Sequence, residues 1–552
     1  MTATFHDVVV VGGGHNGLTA AAYLARAGRS VLLLERQGDL GGATVSADAF
    51  EGMGARVSRY SYLVSLLPQQ IVEDLGLRLR LTRRRYSSYT PVPGGGGGLL
   101  IDNHDADATA TSFAAIGARA DAPRWQEFYE RTHRLAQRLW PTVTEPLRRR
   151  SEVDGLVADP ALVHDFLQRP LGEVIESTFA DDLVRGVALT DGLISTYASA
   201  HETDLRQNVC FLYHVIGGGT GAWDVPIGGM GQIADQLADV ARKAGADLRT
   251  GATVTALEEG ALTWVDEQGT QQRATARQIL WAAAPAVLDE VAGSRTVERV
   301  EGAQVKVNLL LTRLPRLRDE AVDPEAAFGG TFHINETYSQ LQSAFDEAAQ
   351  GQVPSPMPAE IYCHSLADPS ILVPQLRAAG AHTLTAFTLQ TPDRLLDGVE
   401  SLTAARRHLQ QAVLDSLNSV LAEPIEDVIM RTPQGQLCLE TKTTRDLQEI
   451  LAMPGGNIFH APLTWPWADE DAPLQTPAQR WGVDTPYPSV LLAGAGSRRG
   501  GGVSGLGGYH AARAVLEDCA SRAAPTGRGR GAAGVREPRP RRPCPGPPAG
   551  RC

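Results

Sequence analysis

The pattern of strand, glycine turn and helix at the N-terminus constrains the fold of this chain more than any other feature. Residues 7–11 (DVVVV) form a short, fully apolar run that is typical of a buried parallel strand. After a glycine turn comes an alanine-rich helical segment over residues 16–27, and residues 30–35 (SVLLLE) form a second apolar run. A β-α-β unit needs only about thirty residues, so this segment predicts the start of a parallel α/β sheet.

The turn carries Gly12, Gly14 and Gly17 in the spacing G-x-G-x-x-G. Between a strand and a helix, Gly12 permits the tight turn, Gly14 lets the backbone approach a pyrophosphate, and Gly17 allows close packing of helix on strand. Glu35 ends the second strand about twenty residues later, where its carboxylate can accept the hydroxyls of an adenosine ribose. The unit predicts a Rossmann-type site for ADP, and an ordinary glycine turn is the alternative.

Two further glycine segments favour FAD over NAD. The doublet Gly41-Gly42 follows Arg36, and residues 491–512 (LLAGAGSRRGGGVSGLGGYHAA) repeat the order of strand, glycine turn and helix start. The N–H groups of this second turn suit a pyrophosphate, a ribityl chain or a flavin. FAD would then join both ends of the chain, whereas a mobile loop is the alternative. We find no second G-x-G-x-x-G in such a setting, so a stably bound NAD(P)H is not expected.

Composition and charge exclude several classes of function. The formal net charge of −12 disfavours nucleic-acid partners, because that binding depends on Lys and Arg. No apolar run reaches membrane-spanning length and no signal peptide precedes the first strand, so we expect a cytoplasmic protein without stable membrane insertion. The six cysteines are scattered without a C-x-x-C pair, so neither a redox dithiol nor a metal site is predicted. The oligomeric state is left open.

Six segments of the chain resemble the FAD-dependent phytoene dehydrogenase-like and amine-oxidase-type flavoproteins. They are VVVVGGGHNGLTAAAYLARAG, LERQGDLGGATVS, YASAHET, GAWDVPIGGMGQIADQL, GNIFHAPL and LLAGAGSRRGGGVSGLGGYHAARAV. The resemblance covers about residues 5 to 518. It implies an α/β fold in which a discontinuous Rossmann-type FAD-binding domain, similar to that of glutathione reductase, is interleaved with an α+β substrate domain.

Domain boundaries follow from this resemblance and from the pattern of elements along the chain. We expect the FAD-binding domain in residues 1–100, 223–300 and 486–520, a helical part of the substrate domain in 101–222, and its sheet and helices in 301–485. Residues 521–552 contain eight Arg against one Glu and almost no large apolar residue. This Pro, Gly and Arg-rich tail is predicted to be disordered.

The resemblance also implies which residues contact the cofactor. The implied contacts are Gly12, Gly14, Gly17, Glu35, Arg36, Gly41 and Gly42, the backbone of Val254 at the adenine, and Gly494, Gly502 and Val503 on the flavin side. The chain departs from the family in two places. After the C-terminal Ala-Gly, many relatives have an acid that holds the ribityl hydroxyls, whereas this chain has Ala495, Gly496 and Ser497. Ala43 stands where amine oxidases usually have an arginine.

Two residues are candidates for direct roles in the reaction. Lys306, in GAQVKVNLLL, resembles the lysine with which amine oxidases hold a water against flavin N5. A buried lysine can orient water or assist oxygen, with its pKa lowered by desolvation, whereas a strand-end lysine facing solvent is the alternative. His460, in NIFHAPL, is a weaker candidate for contact with flavin or substrate. A packed histidine is its alternative.

The leading functional hypothesis is an FAD-dependent dehydrogenase or desaturase. Its flavin would take a hydride from an apolar or amphipathic small molecule, and oxygen or a quinone would reoxidise it. No catalytic acid–base constellation stands out in the sequence. A flavin amine oxidase is the alternative enzyme, which Lys306 favours and Ala43 disfavours. A flavin-binding regulatory protein with little turnover is the alternative of another class.

Overall fold

The computed structural model describes residues 4–294 and 300–523 of the 552-residue chain. Most of its strands belong to two seven-stranded sheets. The strands are β1 (Thr4–Val11), β2 (Val31–Leu34), β3 (Ser46–Asp48), β4 (Arg56–Ser58), β5 (Leu81–Arg83), β6 (Tyr86–Pro91), β7 (Gly98–Asp102), β8 (Asp224–Pro226), β9 (Asp247–Arg249), β10 (Thr253–Glu258), β11 (Ala261–Val265), β12 (Gln271–Trp281), β13 (Lys306–Leu311), β14 (Thr331–Ile334), β15 (Ala359–Tyr362), β16 (His382–Thr388), β17 (Leu439–Lys442) and β18 (Val490–Leu492).

Helices account for most of the remaining regular structure. They are α1 (His15–Arg26), α2 (Gln69–Leu75), α3 (Ala106–Ala115), α4 (Ala122–Leu139), α5 (Arg150–Val157), α6 (Pro160–Leu167), α7 (Leu171–Thr178), α8 (Asp182–Thr190), α9 (Arg206–Val215), α10 (Gly231–Lys243), α11 (Pro285–Val291), α12 (Pro324–Phe328), α13 (Tyr338–Ala349), α14 (His364–Ala367), α15 (Pro374–Ala378), α16 (Leu402–Asn418), α17 (Thr444–Leu451), α18 (Pro477–Trp481) and α19 (Leu506–Ala523). No helix in the described ranges is long and apolar enough to cross a membrane.

The first sheet is built from three separate stretches of the chain. Its strands run in the order β10-β11-β12-β1-β2-β9, and β18 pairs with the carboxyl end of β12. The pairs β12–β1, β1–β2, β2–β9 and β12–β18 are parallel, whereas β10 and β11 form an antiparallel extension. Val9 and Val10 of β1 are fully buried, as expected for a parallel strand covered on both faces. This is the discontinuous Rossmann-type fold that the sequence predicts.

The second sheet is nearly all antiparallel. Its order is β17-β13-β16-β15-β14-β6-β7, and only the pairing of β14 with β6 is parallel among the described strands of this sheet. Every residue of β13 is buried, so this strand lies in the middle of a core. Each fully buried aliphatic side chain contributes roughly 1.5–3 kcal/mol. The burial of β13 therefore stabilises the second sheet.

The pairing of β6 and β7 differs from the predicted division of the chain. β6 pairs with β14 of the second sheet and β7 pairs with β6. Both strands therefore belong to that sheet, although residues up to 100 were expected in the FAD-binding part. The physical reason is that strand pairing is set by nonlocal packing, which a local apolar pattern does not report. The last described helix, α19, ends at Ala523, and residues 524–552 of the predicted tail lie outside the described residues.

A third, helical region packs on one side of the second sheet. Helices α3 to α9 share a core that is rich in aromatic residues, among them Phe128, Phe166 and Phe211, each exposed by 2% or less. Phe166 and Phe211 stack with ring centroids 6.0 Å apart. Residues of α4, α8 and α9 face the space between the two sheets.

Candidate active site

One cavity of about 990 Å³ lies where the two sheets face each other. Its wall on the first sheet is formed by the carboxyl ends of β1, β2 and β12, the edge at which ligands bind in parallel α/β sheets. Its volume stands at the upper end of the roughly 300–1,000 Å³ that is usual for ligand sites. The space is therefore large enough for an extended ligand.

The N-terminal glycine turn forms a cradle at one side of this cavity. Gly12 has a φ of +104°, and a methyl group added there would lie 3.2 Å from the backbone of Ala282. A methyl group added at Gly14 would meet no protein atom closer than 4.0 Å, so the space in front of this residue is open. Helix α1 begins directly after Gly14 without a side-chain cap. Its first N–H groups remain available to an anionic ligand.

Glu35 stands beside this cradle. Its Oε2 accepts a hydrogen bond from the N–H of Gly13 at 2.6 Å, and its Oε1 accepts one from the N–H of Gln37 at 2.8 Å. The residue is 7% exposed and lines the cavity together with Val254 of β10. A fixed carboxylate at the end of the second parallel strand is the arrangement that holds the ribose hydroxyls of a dinucleotide.

The two ends of the described chain meet at the cradle. Nε2 of His15 lies 3.1 Å from the carbonyl oxygen of Gly502, and its Nδ1 lies 3.0 Å from Oγ1 of Thr44. A methyl group added at Gly508 would lie 1.9 Å from the carbonyl oxygen of Asn16, so α19 packs directly on α1. Gly502 and Val503 line the same cavity as Gly14. One elongated ligand can therefore touch both ends, and the donor-rich cradle, the carboxylate and the cavity volume together fit FAD.

Most of the predicted cofactor residues line the cavity, but three of them lie behind its wall. The residues that line it are Gly12, Gly14, Glu35, Arg36, Gly42, Val254, Gly502 and Val503. Gly17, Gly41 and Gly494 are instead packing positions, where an added methyl group would lie 2.0 Å from Gly12 O, 2.8 Å from Val45 Cγ1 and 2.5 Å from Ala282 O, respectively. The guanidinium group of Arg36 donates hydrogen bonds to the carbonyl oxygens of Glu449 and Ile450. These bonds connect the end of α17 to the cradle.

Lys306 is buried in the cavity wall. It is 3% exposed, and its Nζ donates to the carbonyl oxygens of Ser58 at 3.1 Å and Tyr60 at 2.9 Å. The ammonium group also lies 4.7 Å from the centre of the Tyr62 ring. Burial lowers the pKa of Lys306 to about 7. The alternative of a strand-end lysine facing solvent does not hold.

His460 lines the cavity in an unusual backbone conformation. Its φ is +66°, a left-handed value that costs a non-glycine residue roughly 1–3 kcal/mol and that clusters at functional sites. Its Nδ1 is buried without a hydrogen-bond partner among the described residues. Burial lowers the pKa of His460 to about 4, and the pKa of nearby His15 is also lowered to about 4 by burial and by His460. Both rings are therefore neutral at physiological pH.

The cavity floor is a cross-strand row of side chains that was not predicted from the sequence. Lys306 pairs with Phe387, Phe387 with Glu360, and Glu360 with His333, across four neighbouring antiparallel strands. Residues directly opposite in antiparallel strands point to the same face, and all four line the cavity. The sequence signal for His333 and Glu360 was a polar, ionisable residue inside each of two mainly apolar strands, TFHI and AEIY. The row joins the lysine to a second polar group of residues.

That second group contains an ion pair in the interior of the protein. Nδ1 of His333 lies 2.8 Å from Oε2 of Glu336, and Oγ1 of Thr190 donates to the same oxygen at 2.7 Å. The hydroxyl of Tyr362 donates to Oε2 of Glu360. Donor atoms of His333, Glu336 and Glu360 all lie within 4.8 Å of one another. Neither a metal site nor an acid–base constellation is predicted from the sequence, so this cluster is a finding of the structure.

No cysteine in the described ranges lines the cavity. The four cysteines in the described ranges, Cys210, Cys363, Cys438 and Cys519, are unpaired. Burial raises the pKa of Cys210 and of Cys363 to about 12, which keeps both thiols protonated and unreactive. Cys544 and Cys552 lie outside the described residues. A redox dithiol does not line the cavity within the described part of the chain.

Comparisons with known proteins agree with this geometry. The family model described as FAD dependent oxidoreductase matches residues 7–119. An uncharacterized protein of Mycobacterium tuberculosis is 52% identical over 94% of this chain and 98% of its own length. Pyridine nucleotide-disulfide oxidoreductase domain-containing protein 2 of Rattus norvegicus is 30% identical over 93% of this chain and 94% of its own length.

Among solved structures, a variant of putrescine oxidase superposes over 95% of this chain and 100% of its own length. Its TM-score is 0.54 at 16% sequence identity. At this identity the likeness concerns the fold alone.

Proposed function

The chain belongs to the FAD-dependent oxidoreductase family that includes pyridine nucleotide-disulfide oxidoreductase domain-containing protein 2, and we propose that it removes a hydride from an apolar or amphipathic small molecule. FAD is the cofactor, and the protein is an enzyme of the oxidoreductase class. The regulatory alternative with little turnover finds no support in this family membership. Substrate and electron acceptor are the parts that we propose here.

The residues that would hold FAD follow the cavity from one end of the chain to the other. Glu35 and the backbone of Val254 would hold the adenosine part, and the glycine cradle with the start of α1 would hold the pyrophosphate. Gly502 and Val503 would hold the flavin half. Ser497 stands close to the position at which many relatives have the acid that holds the ribityl chain. Its hydroxyl donates to the carbonyl oxygen of Gly494 at 2.8 Å, so backbone groups such as those of Ala495 would contact the ribityl chain instead.

The observation that carries the proposal is the continuity of the cavity. The same space that begins at the glycine cradle extends past Lys306 into a region walled by aromatic and aliphatic side chains. Those on the cavity wall include Tyr62, Trp125, Val187, Ile194 and Phe387. An apolar region that adjoins a cofactor cradle suits the body of an apolar or amphipathic substrate.

When bound, FAD supplies the redox chemistry by accepting a hydride and later passing its electrons to an acceptor. The chain supplies position and charge. Lys306, whose pKa is about 7, can hold a water molecule or carry a proton within the cavity wall. Two backbone carbonyl groups fix its Nζ, so the ammonium group is already oriented before a substrate enters. We propose oxygen or a quinone as the acceptor.

Reduction of the bound flavin under anaerobic conditions tests this proposal. A panel of polyenes, acyl compounds and amines is added to the purified yellow protein, and loss of flavin absorbance is followed. We expect bleaching by one of the apolar or amphipathic compounds. If no member of the panel reduces the flavin while dithionite does, the hydride-abstraction proposal fails and the family assignment is unaffected.

A flavin amine oxidase is the second candidate, and the burial of Lys306 favours it. Against it, Ala43 lines the cavity where amine oxidases usually have an arginine. The same panel separates the two functions, because an amine oxidase is bleached by the amines and not by the polyenes or acyl compounds.

A further inference from the structure

The imidazole of His15 connects three glycine segments around the cradle. His15 follows Gly14 directly and is the first residue of α1. Its Nδ1 lies 3.0 Å from Oγ1 of Thr44, which stands two residues after the Gly41-Gly42 doublet. Its Nε2 lies 3.1 Å from the carbonyl oxygen of Gly502, and the residue lines the cavity. One side chain therefore joins the first turn, the doublet and the C-terminal turn.

These contacts identify the nitrogen of His15 that carries the proton. A carbonyl oxygen only accepts hydrogen bonds, so the proton between Nε2 and Gly502 belongs to Nε2. Burial lowers the pKa of His15 to about 4, with a further contribution from His460. The ring is therefore neutral near pH 7, and its Nδ1 is an acceptor. The hydroxyl of Thr44, which is fully buried and has no other partner among the described residues, donates to that nitrogen.

The C-terminal turn depends on such a contact, because its glycines do not restrict their own backbone. Residues 500–502 are three consecutive glycines, and Gly502 has a φ of +70°. Among the described residues, the ring of His15 makes the only hydrogen bond to the carbonyl oxygen of Gly502. Asn16 gives weaker support nearby, since its Nδ2 lies 3.5 Å from the carbonyl oxygen of Gly500. Without His15, the peptide that follows Gly502 could therefore rotate at little cost.

The orientation of that peptide sets the direction of the N–H group of Val503. The peptide is trans, so its carbonyl group and its N–H group point in opposite directions. With the carbonyl oxygen of Gly502 held towards His15, the N–H of Val503 points away from the ring. This N–H donates to no acceptor among the described residues, and Val503 lines the cavity. It is therefore a free donor for a ligand in that space.

We infer that His15 is a positioning residue, which holds the carbonyl group of Gly502 so that the N–H of Val503 is presented to the flavin half of FAD. Thr44 keeps the imidazole in the tautomer that this requires. A fixed donor beside the flavin ring favours the more negatively charged reduced form. His15 therefore raises both the affinity for FAD and the midpoint potential of the bound flavin. The inference concerns the cofactor and no substrate, so it does not depend on the proposed hydride abstraction.

The first test removes both ring nitrogens. His15→Phe keeps a flat ring, and its FAD-free form is titrated with FAD by flavin fluorescence. The midpoint potential of the bound flavin is then measured by dithionite titration with a reference dye. We expect the affinity for FAD to fall by about tenfold, because the carbonyl group loses its donor, and the potential to become more negative. An unchanged potential, with or without a loss of affinity, would overturn the inference, because a merely structural role moves the affinity alone.

The second test changes the tautomer and leaves His15 in place. Thr44→Val keeps the shape of the side chain without its hydroxyl, and it should shift affinity and potential in the same direction as His15→Phe, but less. Thr44→Ser restores the donor and should behave as the wild type does. Thr19→Val is the matched control, because the buried hydroxyl of Thr19 donates to the backbone carbonyl of His15 at 2.7 Å and not to its ring. Identical behaviour of Thr44→Val and Thr44→Ser would overturn the role of the hydroxyl.

The tautomer can also be observed in the FAD-loaded wild type by ¹⁵N NMR of labelled histidine. The chain has 13 histidines, and the signals of His15 are those that differ between wild type and Thr44→Val. We expect a protonated Nε2 and an unprotonated Nδ1, and the opposite tautomer would overturn the inference. Circular dichroism shows whether each variant folds. If His15→Phe does not fold, the Thr44 variants and the NMR signals decide the question without it.

Discussion

The burial of Lys306 has a consequence for stability that can be calculated and measured. Its pKa falls from 10.5 to about 7, and at about 1.4 kcal/mol per pKa unit this shift corresponds to about 5 kcal/mol. Because the folded state disfavours the charged form, this cost is fully present below pH 7. It disappears as the pH rises towards 10.5, since the unfolded chain there keeps a proton that the folded chain has lost.

Lys306→Met removes this titration. Between pH 7 and pH 9 we expect the wild type to gain about 2 kcal/mol of unfolding free energy relative to the variant, measured as the difference between their urea unfolding curves at each pH. Lys442→Met is the matched control, because Lys442 lies directly opposite Lys306 in the sheet and pairs with Glu440 at 3.5 Å. The control should show the same gain between the two pH values as the wild type.

A direct titration complements the unfolding curves. The chain contains three lysines, Lys243, Lys306 and Lys442, so selective ¹³C labelling of lysine gives few signals to assign. One signal should titrate with a midpoint near pH 7 and should be missing in Lys306→Met. Parallel stability profiles of wild type and Lys306→Met, together with no lysine signal that titrates near neutral pH, would refute the reasoning.

Three further predictions concern the cradle and the residues around it. Glu35→Ala and Gly14→Val should give protein with little or no FAD by absorbance, whereas the exposed-site control Glu51→Ala should keep full occupancy; full occupancy in all three would contradict the role of the cradle. Gly508→Val should lower the unfolding free energy by about 3 kcal/mol or more, because its side chain would collide with the carbonyl oxygen of Asn16. Gly155→Ala, in an open helical position, should instead raise it by about 0.5–1 kcal/mol; equal effects would count against the close packing of α1 on α19. His460→Ala should keep FAD and slow flavin reduction by substrate, and an unchanged reduction rate would remove His460 from the mechanism.

The nucleotide-binding half of the molecule could be predicted because its signals are local. The strand, turn and helix from residue 7 to residue 35 form one continuous unit, and each glycine in it has a steric requirement that few other residues meet. Gly17 illustrates this. The sequence predicts that it allows close packing of helix on strand, and the structure places it at a close-packed position. The C-terminal glycine segment repeats the pattern, so both halves of the cradle were visible in the sequence.

The substrate half was harder to predict because its signals are distributed. β6 and β7 were visible as two extended pieces, but their partner β14 lies more than two hundred residues away in the chain. Asp191, His333 and Glu360 come from three separate segments and share no motif. Only the register of β13, β16, β15 and β14 brings Lys306, Glu360 and His333 into one row. The available signal was a charged residue inside an apolar strand. This signal does not tell which residues lie next to one another in the fold.

We expect the N-terminal glycine turn around Gly14 and the C-terminal glycine turn around Gly502 to bind one FAD molecule together. Equilibrium titration of FAD-free protein with FAD, followed by flavin fluorescence, tests this most directly when wild type and Gly502→Val are compared. Gly502 has a φ of +70°, and an added methyl group would lie 2.9 Å from Leu66 Cδ1, so valine there distorts the C-terminal turn and leaves the N-terminal fingerprint unchanged. We expect saturable binding of one FAD per wild-type chain and a large loss of affinity in the variant. Absence of saturable binding to the wild type, or equal affinity in the two proteins, would contradict a site shared by the two ends.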